Sequence, residues 1–153
     1  MKGRIRDEEK VRQCILQGRF EEAYSVLKDV EFKVVDNFLS RIGFDTGSLT
    51  IYAFICYMIR CSKCVDYHFI AQSIMCGALD HLEGAYETGL HHNLEILKAE
   101  PENMGAMTMM LFYNTTPEKP VTNEEADNYV NKILQIDPNN ETVKQFLKFH
   151  RRK

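Results

Sequence analysis

Ile96-Leu97-Lys98-Ala99-Glu100-Pro101-Glu102-Asn103 and Ile133-Leu134-Gln135-Ile136-Asp137-Pro138-Asn139-Asn140 are nearly the same phrase, 37 residues apart. In each, an amphipathic stretch runs into an acid and then a proline, which cannot continue a helix. A second phrase also occurs twice, as Gln17-Gly18-Arg19-Phe20-Glu21-Glu22-Ala23 and Glu83-Gly84-Ala85-Tyr86-Glu87-Thr88-Gly89. Each copy reads as a turn followed by the start of a helix. Self-similarity at a fixed spacing is the mark of stacked supersecondary units. In the middle copy, Gly77 and Gly89 are small enough for two helices to approach closely, and Gly84 turns the chain. Tyr86 plugs the hairpin, and Pro101 ends the pair.

Apolar residues recur at spacings of three and four on both sides of these phrases, the period of a half-buried helix. Val11, Cys14 and Ile15 form a short face, broken by Gln17-Gly18-Arg19. Phe20, Ala23, Tyr24, Leu27, Val30, Val34 and Phe38 then read as one long amphipathic helix. Gly43, Asp45 and Gly47 mark a turn, and Ser48 suits an N-cap. Leu49 to about Lys63 is apolar on nearly all sides, which predicts a central helix. Val65 to Leu82 predicts another, ended by Glu83-Gly84, and Ala85 to Ala99 a third. Met104 to Tyr113 is short, and Asn114 to Pro120 is the one loop-like stretch. Thr122 and Glu125 form a capping box for a helix to Ile136, and Asn140 opens a last one to about His150. The expected fold class is all-α, with about eight helices in antiparallel hairpins forming a single domain over residues 1–153.

These glycine, aromatic and proline positions resemble the tetratricopeptide repeat (TPR), a helix hairpin of about 34 residues. The likeness covers residues 4–37, 70–103 and 104–140, with a capping helix over 140–150. Val11 stands where the family carries a smaller residue, Val35 replaces a terminal proline, and Asn93 occupies a normally apolar position. Asp36 to Lys63 carries no repeat signature. The resemblance implies a right-handed superhelical array with a concave surface lined by the first helix of each pair. It puts the groove-lining positions at Glu8, Arg12, Ile74, His81, Thr108 and Phe112. Arg12 is the only Lys or Arg among them, so a basic clamp for a C-terminal carboxylate is not expected.

The rest of the composition narrows the function classes. In 153 residues, 19 Lys and Arg face 22 Asp and Glu, for a net charge of -3. The basic residues are scattered without interleaved aromatics, so nucleic-acid binding is not expected. The apolar run Leu49 to Ile59 rises only about 16 Å as a helix, roughly half of a bilayer core, which argues against membrane insertion. The charged N-terminus lacks the apolar stretch of a secretory signal. With five cysteines, an odd number, reduced thiols in the cytoplasm are expected.

Chemistry-bearing clusters are few. Cys61-Ser62-Lys63-Cys64 supplies one zinc knuckle, with Cys56 and His68 nearby. No second knuckle follows, and cysteines on apolar helices usually serve as small core residues, so no metal or other cofactor is expected. Redox use of the thioredoxin type lacks its βαβ surroundings. His91 and His92, near Glu87 and Glu95, could serve a small hydrolase as base and carboxylate orienter, but no nucleophile motif accompanies them. Met104, Met107, Met109 and Met110 crowd one helix, some as core and some able to form an adaptable surface. The function expected is non-enzymatic binding of another polypeptide, either a peptide segment held by a scaffold or a toxin domain. Small, mildly acidic single domains without a catalytic site are typical of bacterial immunity proteins, and that is the sharper form of the expectation.

Overall fold

Most of the turn signals read from the sequence mark where helices stop. The computed structural model describes residues 3–150, and among these the chain is all-α, with nine helices and no strand. It divides into two compact units, residues 1–89 and 90–153.

The first unit contains α1 (Glu8–Leu16), α2 (Phe20–Leu27), α3 (Phe32–Thr46), α4 (Leu49–Ser62) and α5 (Asp66–Cys76). Gly18 takes a positive φ of 76° between α1 and α2, and these two short helices pack as a hairpin. Gly47 caps α3 in the left-handed conformation, φ 59°, while the Ser48 side chain accepts a hydrogen bond from the Thr50 N–H to open α4. Helix α4 is central, as expected: Ile51, Phe54, Ile55 and Met58 are fully buried, and the helix packs on α1, α2, α3 and α5.

Three expectations in this unit are corrected. The stretch Phe20 to Phe38 is not one helix. It breaks at residues 28–31, where Glu31 adopts an extended conformation before α3 begins. The cause is a change of neighbours: α2 packs on α1 and α4, whereas α3 packs on α4 and α5. One straight helix cannot serve both, and tertiary packing overrides a continuous apolar period. The segment expected as a helix from Val65 to Leu82 ends at Cys76, so residues 77–84 form a turn, closed by Gly84 at φ 77°. The break adds one helix, and the nine among the described residues fit the expected count of about eight. Gly43, expected in a turn, lies inside α3.

Helix α6 (Ala85–Ala99) has the bounds its periodicity predicts, and most of it belongs to the second unit. That unit continues with α7 (Met104–Thr115), α8 (Asn123–Ile136) and α9 (Glu141–His150). Helix α7 runs two residues past its expected end. Thr122 and Glu125 form the capping box in both directions: the Thr122 hydroxyl accepts from the Glu125 N–H, and the Glu125 carboxylate accepts from the Thr122 N–H. Asn103 and Asn140 cap α7 and α9 in the same manner, each accepting from a backbone N–H three residues on. The core of this unit is built from Ile96, Ala106, Met107, Leu111, Tyr113, Val130, Ile133 and Val143. Helix α7 packs against both α8 and α9.

Candidate functional site

Glu8 and Arg12 lie one turn apart on α1, and both are engaged by α3. Arg41 donates to the Glu8 carboxylate at 2.6 Å, and Arg12 donates to Asp45 at 3.5 Å. Each partner is one turn further along its own helix in the same direction, so α1 and α3 run parallel where they meet. The pairs are half-exposed, and their charges are already matched. Ile74, proposed with them, is 1% exposed; its Cδ1 lies 2.8 Å from where a Cβ on Gly43 would stand. It therefore belongs to the core and not to a groove. His81 is exposed in the 77–84 turn. In the second unit, Thr108 donates to the Gly105 carbonyl on α7. Phe112, one turn on and 37% exposed, sets its ring at 5.4 Å from that of Tyr113.

A concave site that the sequence reading missed lies elsewhere in the second unit. Two adjoining hollows, of about 850 and 520 Å³, share Asn114, Asn123 and His150. One wall is the end of α7 with its following turn (Asn114 to Pro117, and Lys119), and another is the first half of α8 (Asn123, Ala126, Asp127, Val130, Asn131). The last turn of α9 supplies Phe146, Leu147, Phe149 and His150. The site is held in shape by a buried amide: Asn114 donates both to the Val121 carbonyl and to Asn123 Oδ1, at 3.0 Å each, tying the turn to the start of α8. The His150 ring packs on Phe146 at 4.2 Å. Phe149 is 67% exposed at the rim. A signal for this site was present in the sequence. Val143, Phe146, Leu147 and His150 make one helical stripe, and Phe149 is an aromatic placed off it. Exposed aromatics beside convergent amides are typical of recognition surfaces.

The cysteine and histidine candidates separate. His91 is exposed and His92 buried, their rings edge to face at 5.4 Å. Cys61 is exposed at the end of α4, Cys64 half-buried in the link to α5, and none of the five cysteines is in a disulfide. Among the described residues, no group of three or more His, Cys, Asp or Glu is placed to share a metal ion. Cys61 is hydrogen-bonded to the Tyr57 hydroxyl, which raises the Tyr57 pKa; burial adds to that rise. Tyr24 on α2 is raised by burial first, then by Cys61, Asp29 and Cys64, so both sulfurs lie near one phenol. Arg60 stands 5.4 Å over the Tyr57 ring. Among the described residues no helix is long and apolar enough to cross a membrane. Family models, curated proteins and solved structures were all compared with this chain, and none matches it.

Proposed function

We propose that this chain is a non-enzymatic protein that binds a polypeptide, with the hollow of the second unit as its contact site. The observation that carries this reading is the pairing of surfaces around that hollow: Phe146, Leu147 and Phe149 on one side, Asn123 and Asn131 on the other. An apolar side chain of the partner packs on the phenyl rings. The primary amides, each with a donor and an acceptor, match the N–H and C=O of a peptide bond. Asn123 and Asn131 are about two helical turns apart, roughly 12 Å, the length of three to four residues of extended chain. Lys119 and Asp127 bring one charge of each sign, so shape and hydrogen bonding outweigh long-range steering. The likeness to TPR hairpins supports the same class of function. The odd count of five cysteines supports a reducing, cytoplasmic setting.

The test is capture of partners from native lysate by the intact chain and by F149D, whose side chain already faces solvent. A polypeptide recovered at least tenfold less by F149D, with circular dichroism unchanged, supports the reading. An identical set of captured proteins for both chains overturns it. The identity of the captured protein then separates a toxin domain, which the immunity reading requires, from a peptide segment.

A further inference from the structure

We infer that Cys61 and Cys64 form a dithiol site that closes to an intramolecular disulfide by exchange with a low-molecular-weight disulfide. The two residues bracket the end of α4, with Ser62 the last helical residue and Lys63 in the left-handed conformation, φ 53°. Lys63 donates its N–H back to the Ile59 carbonyl at 2.8 Å, and Ser62 Oγ accepts from the Cys64 N–H at 3.1 Å. This folds the chain back on itself. Both thiols act on Tyr24, across on α2, after burial as the first cause of its raised pKa.

Cys64 stands in the short non-helical link between α4 and α5, where the backbone is able to bring its Cβ to the roughly 3.5–4.5 Å that a disulfide spans. Cys61 is exposed and able to meet a reagent first; Cys14 is buried, and Cys56 and Cys76 are half-buried within helices.

The exchange runs in two steps. The Cys61 thiolate attacks one sulfur of the external disulfide, an S–S bond forms to Cys61, and the first thiol leaves. The Cys64 thiolate then attacks Cys61 Sγ, and the second thiol leaves. The protein loses two electrons and two protons. The external disulfide is reduced to two thiols, which carry those protons away.

Glutathione disulfide is the probe. The full chain is incubated with it, blocked with an alkylating agent and cut with trypsin, which cleaves after Arg60 and Lys63 and so separates the two cysteines. The expected product is residues 61–63 joined by a disulfide to residues 64–98. C76S keeps that linkage, which excludes the other cysteine of the larger peptide. C64S instead stops at glutathione held on Cys61. The inference is overturned if glutathione stays on Cys61 of the parent chain while Cys64 remains open to alkylation. It is equally overturned if Cys61 and Cys64 stay unmodified, or if C76S abolishes the linkage.

Discussion

At the scale of single residues, the departures from the repeat pattern are the most informative positions. Asn93 stands at an apolar position and is fully buried in α6. Its Nδ2 donates to the Ala106 carbonyl at 2.9 Å and faces Met110 Sδ at 3.3 Å, while its Oδ1 has no hydrogen-bond partner. The Ala106 carbonyl fixes which way the amide points. A buried acceptor left unpaired costs about 1–3 kcal/mol. Asn93→Leu removes that acceptor while keeping the branched shape and number of side-chain heavy atoms, and forfeits one neutral bond, so the urea midpoint is expected to rise; a fall would show that the amide is needed or that the larger methyls do not fit. Gly43 makes a complementary case. An added methyl would meet Ile74 Cδ1 at 2.8 Å and Ala78 Cβ at 3.3 Å, so Gly43→Ala should destabilise by about 1–3 kcal/mol despite its better helix propensity. Ile74→Val deletes the colliding Cδ1. The double variant should therefore be more stable than the two single losses added together, which a double-mutant cycle in urea measures. Strict additivity would mean that the clash lies elsewhere.

Among the elements, what was legible was local and what was missed was tertiary. Ser48, Thr122 and Asn140 cap the helices they were read to cap, because an N-cap needs only a side-chain oxygen and the next turn's N–H. Thr122→Ala should cost about 1 kcal/mol by removing half of the capping box, read as a drop in the urea midpoint with unchanged slope. The break at 28–31 carries no glycine or proline, and its apolar spacing runs straight through, so nothing local announced it. The α3–α4 hairpin was half legible, its Gly47–Ser48 link read as a turn and cap but its packing not. Residues 36–63 lack the repeat's signature glycines and proline, and yet a two-residue link, Gly47 and Ser48, joins two packed helices there. The hollow of the second unit needs three chain segments brought together, and only the stray Phe149 hinted at it. The α1–α3 ion pairs also depend on packing. Being half-exposed, each should contribute only about 0.2–1 kcal/mol, and Arg41→Ala should lose its small effect in high salt. An effect undiminished in high salt would assign Arg41's contribution to packing of its stem on Phe38, over whose ring its guanidinium sits.

Over the whole molecule, five tyrosines are perturbed by the fold, and they make stability depend on alkaline pH. Tyr24, Tyr52, Tyr67 and Tyr129 are each held above their ordinary pKa chiefly by burial, with Cys56 hydrogen-bonded to Tyr52 as a second cause. Tyr57 is raised chiefly by its hydrogen bond with Cys61. Four of these five lie on α2, α4 and α5. An unfolded tyrosine loses its proton near pH 10. Above that pH the folded chain holds more phenolic protons than the unfolded one, and stability must fall as pH rises. Below about pH 10 these groups leave stability unchanged, because both states are protonated. The expected outcome is a urea midpoint insensitive to these groups up to about pH 9.5 and falling steadily beyond it. Absorbance near 295 nm should show part of the seven tyrosines titrating late in the native chain, and all of them together near pH 10 in concentrated urea. Superimposed native and urea titrations would overturn the prediction. Tyr129→Phe supplies an internal control, since it removes one of these five perturbed phenols and should leave most of the alkaline loss in place.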